Sequence, residues 1–403
     1  PRMISAIIAD VNSVSATIAL NSVFTATVEL MPSISANGLL TAGAGHITKQ
    51  TNIHSISGVL RNTSIYIEAI LRRARAAPRV RYDLIFPLKG AAFRRGHVIE
   101  TGDVEKLLDL GKRTVFIWEE NAGEIHEEDA AIRLSKLCQV EGGVYSGPSE
   151  GKMVQKAGVR GLFRVNVPLQ RAINSIGDIT ISSIPDHYPV EVGGKLCSMR
   201  IIPLTTQESQ IIEAERLCQE SKEPLMQLLP YQKKKVAFII TGSEIYTGRI
   251  QDKFEPVLRA KVGQYPSEVI GCKICDDDLS MLSAALQEFM DAGADLILMT
   301  GGMSVDPDDL TPTAIAGAGA EVVTYGMPSQ PGNMLLVAYQ GDTCIVGVPG
   351  AAVKLPTTTL DVVLPQIFTG VKFTKEDFVR LGDGGFCQSC DGCHWPNCTF
   401  GRY

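Results

Sequence analysis

At 403 residues the chain is long enough for roughly two to four domains with sizeable cores. Its 45% hydrophobic and 20% charged residues are those of a globular chain, and a net charge of −6 gives general nucleic-acid binding no footing. No run of about eighteen apolar residues occurs, so no membrane span is expected. The start, Pro1-Arg2-Met3-Ile4, lacks a clear secretory layout. Six of the ten cysteines (Cys138, Cys197, Cys218, Cys272, Cys275, Cys344) are scattered through apparent core segments. Buried reduced thiols in the cytoplasm are the expectation for those.

Residues 1–81 read as a β-prone segment with no assigned chemistry. Only Arg2, Asp10, Glu29 and Lys49 are charged in its first 60 positions. Residues 15–20 and 23–30 alternate at period two, which argues for strands. Arg72, Arg73, Arg75, Arg79 and Arg81 form a basic run, read as a solvated linker or helix face, with an anion-attracting patch as the alternative.

Residues 82–140 read as a small α/β module. A helix is expected from Asp103, with Val104, Leu107 and Leu108 at helical spacing and Gly111 as the stop. A strand over 114–118 and a helix over 125–137 follow. Residues 141–231 read as an α/β linker domain, with a strand at 179–182 and a helix at 211–220. Its turn Gly147-Pro148-Ser149-Glu150-Gly151-Lys152 has the composition of a surface turn, with contact to a phosphate as the alternative.

From 232 to 370 strands alternate with helices. Strands are expected at 235–240, 268–274, 295–299, 321–325 and 343–348. Leu279, Leu282, Leu286, Phe289 and Met290 line one helix face behind Asp276-Asp277-Asp278, whose acids offset the positive helix end. The expected fold is therefore α/β, a doubly wound, mostly parallel sheet with smaller α/β amino-terminal modules and a Cys-rich tail. In such sheets ligands lie beyond the carboxyl ends of the strands. Three motifs fall there: Thr241-Gly242-Ser243-Glu244, Thr300-Gly301-Gly302 with Ser304, Asp306, Asp308 and Asp309, and Gly347-Val348-Pro349-Gly350. Glycines let the backbone turn sharply and let a ligand approach it. Thr311 before Pro312 fits an N-cap with proline at the first helical position. Carboxylates beside an anion site imply a divalent metal.

Together with Gly326-Met327-Pro328 and Pro331-Gly332-Asn333, these motifs resemble the molybdopterin-binding domain shared by molybdopterin adenylyltransferase and molybdopterin molybdotransferase. The likeness covers about 232–370. A closer one, over about 82–403, is to bacterial molybdopterin-binding proteins that end in a cysteine cluster. Ser243 stands where the family has an acid, and Ala351 where it has Asn. The resemblance implies that Gly301, Gly302 and Ser304 receive the ligand's phosphate and that Gly242 and Gly350 leave it room. Thr241, Ser243, Thr300 and Pro349 complete that site. Asp309, then Glu244, are the implied catalytic acids and hold Mg²⁺; for Glu244 a structural pairing with Arg249 is the alternative. It further implies molybdopterin or adenylyl-molybdopterin and molybdate as partners, a homo-oligomer, and a molybdoenzyme downstream. The altered Ser243 and Ala351 leave a non-catalytic carrier or sensor as the competing expectation.

The segment 371–403 carries the tail. Cys387, Cys390, Cys393 and Cys398 fall within twelve residues. Their spacing approaches that of iron–sulfur ligation, with one extra residue before the last cysteine. Zinc held by four Cys, or by three with His394, is also open, as are disulfides, free thiols, or thiolates that pass a metal or sulfur species to a partner enzyme.

Overall fold

Buried parallel strands need apolar residues on both faces, and residues 236–240 and 296–299 supply them. A computed structural model describes residues 4–7, 16–20, 26–30, 80–83, 102–110, 114–119, 122–303 and 309–402. Arg72, Arg73, Arg75, Arg79, Gly111, Ser304, Asp306 and Asp308 lie outside the described residues. The chain divides into two units, Pro1–Ile125 with Thr205–Gln207, and His126–Leu204 with Glu208–Tyr403.

In the first unit Ile4–Ile7 and Val80–Asp83 pair antiparallel on either side of Thr114–Glu119. Ala16–Leu20 and Ala26–Leu30 pair with each other, within the two stretches where alternation predicts strands. The helix Asp103–Asp109 buries Val104 and Leu107.

The second unit carries the expected sheet. Its strands are β1 (Lys234–Thr241), β2 (Ser267–Cys275), β3 (Leu296–Thr300), β4 (Glu321–Tyr325), β5 (Leu336–Gln340) and β6 (Thr343–Val348). Their order is β2-β1-β3-β6-β5-β4. The first four neighbours run parallel, and β5 runs antiparallel to both β6 and β4. The helices are α1 (Ser243–Tyr246), α2 (Phe254–Val262), α3 (Leu279–Asp291), α4 (Thr311–Gly317), α5 (Thr359–Ile367) and α6 (Lys375–Arg380). Val236 and Phe238 pack on α2 and α5 through Leu258, Val262, Leu360 and Leu364. Ala237 and Ile239 pack the opposite way, on Leu282, Leu286 and Phe289 of α3 and Ile315 of α4. Each fully buried Leu, Ile or Phe contributes about 1.5–3 kcal/mol, so these two faces stabilise the layer order. The expected α3 face is corrected at its first member: Leu279 is 41% exposed, because it opens the helix beyond the sheet-facing turn. Among the described residues no helix is long and apolar enough to cross a membrane.

Residues 141–231 are richer in strands than their sequence suggests. Ile179–Ser183, Lys195–Ile201, Lys152–Ala157 and Gly143–Ser149 form one antiparallel sheet, and Tyr188–Val190, Gly161–Val165 and Met226–Pro230 a second. The helix expected over 125–137 begins at Glu127, because the His126 imidazole caps it by accepting from the Glu128 amide at 3.2 Å. Asp186 ties the second small sheet to its own loop. Its carboxylate accepts from the Val165 amide at 2.8 Å, the His187 amide at 2.9 Å and Arg164 Nε at 3.0 Å. Burial alone would push this carboxyl up; the His187 and Arg164 side chains and the Val165 amide outweigh it and hold it down at about 2. The folded value lies below the unfolded one, so Asp186 contributes stability above about pH 4 that disappears as pH falls through 2. Denaturation curves at pH 5 and pH 2 should show the parent protein losing about 2 kcal/mol more than Asp186→Asn. Equal losses in the two proteins would refute this role.

Candidate functional site

Three of the parallel strands end level. Ile240 of β1 pairs with Thr300 of β3, and Thr300 with Val348 of β6. Each strand runs at once into one of the glycine-bearing turns, so the structure brings the turns at 241–244, 300–302 and 347–350 to one edge. The first two touch. Gly301 has φ +84°, and a β-carbon there would lie 2.2 Å from the Thr241 carbonyl oxygen. No side chain fits between them. Gly302 follows with φ +53°.

Thr311 acts otherwise than its sequence position suggests. It is the first residue of α4 rather than its cap, a place taken by Leu310. Its hydroxyl instead donates to the Gly301 carbonyl at 2.9 Å and closes the loop. Thr300 is fully buried, and its Oγ1 has no hydrogen-bond partner among the described residues.

Asp276 and Asp277 join the site, which sequence reasoning missed. Thr241 Oγ1 donates to Asp277 Oδ1 at 2.6 Å, and the Ser243 amide donates to Asp277 Oδ2 at 3.0 Å. The Ser243 hydroxyl donates to Asp276 Oδ1. Asp278 alone caps α3, accepting from the Met281 amide at 2.8 Å. The Ser280 hydroxyl and that amide hold its carboxyl below the usual range. The missing acid at 243 is therefore matched by two carboxylates from the end of β2, the strand beside β1. Only the strand order reveals this.

Glu244 is exposed on α1. Its link to Arg249 runs through the backbone, the Arg249 amide donating to the Glu244 carbonyl at 2.8 Å. Asp309 is half-buried ahead of α4. Burial, then the nearby Asp309 charge, push the Tyr325 phenol up. That phenol donates to the Met303 carbonyl at 3.2 Å, so Tyr325 at the end of β4 flanks the loop. Pro349 is buried, whereas Gly350 is exposed with nothing within 4 Å of where a β-carbon would stand. Gly332 lies against this third turn, with Pro349 Cγ 3.2 Å from where its β-carbon would stand, and Thr359 Oγ1 donates to its carbonyl at 2.6 Å.

The cysteine tail is not gathered into a ligand set. Among the described residues no three His, Cys, Asp or Glu side chains stand together as a metal site. Asp306 and Asp308, the neighbours of Asp309, lie outside the described residues, and the thiols of Cys387, Cys390, Cys393 and Cys398 do not converge on one point. The reason lies in how the tail is anchored. The Cys387 amide donates to the Gln330 carbonyl at 2.9 Å, while Cys393 Sγ lies 3.0 Å from Thr357 Oγ1. The thiols are thus spread along the surface, with Cys390 and Cys393 exposed.

Residues 237–369 match the family model of the probable molybdopterin binding domain, and residues 85–119 match a domain of unknown function (DUF8806). A CinA-like protein of Mycobacterium tuberculosis is 32% identical over 82 residues, which are 20% of this chain and 19% of that protein. A match in Mycobacterium sp. (strain JLS) is 33% identical over 82 residues, 20% of each chain. The chain thus spans about a fifth of the length of the curated relatives it matches. Among solved structures, the molybdopterin biosynthesis enzyme MoaB of Thermus thermophilus is 21% identical, with 35% of this chain and 99% of that one covered and a TM-score of 0.26. The molybdopterin biosynthesis MoeA protein of Pyrococcus horikoshii is 16% identical, covering 61% and 74%, with a TM-score of 0.29.

Proposed function

We propose that this protein serves molybdenum-cofactor biosynthesis by binding molybdopterin or its adenylylated form where β1, β3 and β6 end. The observation that carries the reading is the meeting of three turns on one edge, two of them in backbone contact at Gly301, inside a segment of the molybdopterin-binding family. The Gly301-Gly302 backbone and Ser304 receive the phosphate, and the open side of Gly350 leaves room for the ring system. The buried Thr300 hydroxyl, unpartnered among the described residues, fits such a site, since an unmade hydrogen bond costs about 1–3 kcal/mol until a partner arrives.

Mg²⁺ suits the donors available. It takes hard oxygen ligands, commonly one or two carboxylates together with substrate phosphates. Asp276 and Asp277 beside the Ser243 hydroxyl, and Asp309 across the edge, are the oxygens that would hold it. When bound, it would neutralise phosphate charge and polarise the phosphoryl group. Asp277 orients the Thr241 hydroxyl and the Ser243 amide, and Asp309 sets the charge facing Tyr325. The reading takes molybdate as co-substrate, a cytoplasmic homo-oligomer as the working form, and a molybdoenzyme as recipient.

A second reading, a non-catalytic carrier or sensor, is favoured by one observation: Ser243 spends its hydroxyl and its amide on Asp276 and Asp277. The two readings separate on molybdate-dependent release of AMP from adenylyl-molybdopterin. Insertion chemistry predicts release by the parent protein and a drop of about tenfold in Asp309→Asn with pterin still bound. Bound pterin without release would select the carrier. A folded protein that binds no pterin would defeat both.

A further inference from the structure

A cleft of about 490 Å³ lies away from the level strand ends, where Tyr231, just ahead of β1, and Tyr265, just ahead of β2, meet the small sheets and the tail. That volume is within the range of small-molecule sites, roughly 300–1,000 Å³. Its walls are braced by ring contacts and hydrogen bonds. The Tyr265 ring stacks on Phe368 at 4.5 Å and meets Tyr231 edge-on at 5.0 Å. Arg160 grips Glu191 with two nitrogens at 2.6 and 2.8 Å, donates to the Gln264 carbonyl at 3.2 Å, and lies 6.0 Å over the Tyr231 ring. The tail supplies the far wall. Arg402 stacks 4.3 Å over Tyr188 and donates to the Pro396 carbonyl at 2.6 Å, and the Tyr188 hydroxyl donates to Asn397. The segment that the sequence offers as a metal site thus builds one side of a pocket with Trp395, Pro396 and Asn397.

Three features of the lining point to a ligand. Tyr231, Tyr265, Tyr188 and Trp395 offer aromatic surface. The Tyr231 and Tyr265 hydroxyls make no hydrogen bond among the described residues, and burial pushes both phenols up, so they keep their protons and can donate. Lys195 makes no ion pair among the described residues, whereas Arg160 and Glu191 neutralise each other. The lining therefore carries one uncompensated positive charge on a chain of net charge −6. We infer that this cleft binds a flat aromatic molecule bearing one anionic group, its ring between the tyrosines and Trp395 and its anion on Lys195. Stacking and cation attraction are the interactions that such a lining supplies.

The inference is independent of the pterin site. Three probes test it on the full chain: indole-3-acetate, AMP and flavin mononucleotide, each followed by saturation-transfer NMR and by fluorescence. At least one should bind saturably. Its affinity should fall about tenfold, a loss of about 1.4 kcal/mol, in Lys195→Glu. Asn397→Trp, which fills the cleft from its exposed side, should weaken it likewise. Gly350→Leu, at the other site, should leave it unchanged. Both cleft residues are exposed, and a melting curve checks that each variant folds. If none of the three probes saturates, or if binding survives both cleft variants, the inference is wrong. Loss in Gly350→Leu alone would assign the probe to the pterin site and also overturn it.

Discussion

Gly301→Ala is expected to strip the purified protein of pterin and to lower its stability by roughly 2–5 kcal/mol. The added methyl would stand 2.2 Å from the Thr241 carbonyl oxygen and 2.8 Å from Thr241 Cγ2, at a φ of +84°. The nearest atom is backbone, so no rotamer change relieves the contact. Either β1 and β3 part at their ends or Gly301 leaves its left-handed conformation, and both outcomes open the edge. A loss of pterin through unfolding alone must be separated from a loss at the site. Gly350→Leu does this, because Gly350 is exposed with open space beside it and a φ that any residue adopts. Its melting temperature should match the parent, and its pterin content after purification from a molybdopterin-producing host should fall at least about tenfold, about 1.4 kcal/mol. Full pterin in a folded Gly350→Leu would move the ligand away from the 347–350 turn, and full pterin in Gly301→Ala would remove the site from this edge.

Much of this edge is legible in the sequence, for a physical reason. Strands buried on both faces are near-continuous apolar runs, so 235–240, 295–299 and 343–348 stand out within one residue of their observed limits. Glycines at strand ends mark the turns because few other residues accept those backbone angles. β5 is missed, although Gly341-Asp342 between Gln340 and Thr343 is a two-residue hairpin signal and Gly341 has φ +57°. Reading 326–334 as a ligand motif draws attention from the strand behind it. The small sheets of 141–231 escape for another reason: strands such as Lys152–Ala157 alternate buried and exposed over only six residues. Asp276 and Asp277 are a failure of a different kind. Acids before a helix suit a cap, and Asp278 is one. Their second role depends on β2 lying beside β1, which brings residues more than thirty positions apart into contact. The tail shows how density along the chain and position in space separate, since Cys387 is anchored at Gln330 and Cys393 at Thr357.

The other large effect is expected at a residue that touches no ligand. Lys261 of α2 and Asp361 of α5 form an ion pair in which both side chains are more than nine-tenths buried. Lys261 Nζ donates to Asp361 Oδ1 at 2.6 Å and Oδ2 at 2.7 Å, and to the Pro356 carbonyl at 3.1 Å. Asp361 Oδ2 also accepts from the Thr358 amide at 2.7 Å, closing the capping box that starts α5. Lys261→Met keeps much of the volume but leaves a buried carboxylate without its cation, a change that costs about 3–5 kcal/mol. Most of that cost belongs to the stranded charge rather than to a lost attraction. Adding Asp361→Asn, which keeps an acceptor for the cap, should therefore recover about 2 kcal/mol of it in urea denaturation. A single-variant cost below about 1 kcal/mol, or no recovery in the double variant, would deny the pair this role. The consequence reaches the site through Pro356, which closes the loop leaving Gly350. With its carbonyl no longer held, that turn loosens while β1 and β3 stay in register. Lys261→Met should then release pterin about tenfold faster under conditions where it remains folded, at about 1.4 kcal/mol, and the double variant, which regains stability but not the Pro356 contact, should release it just as fast.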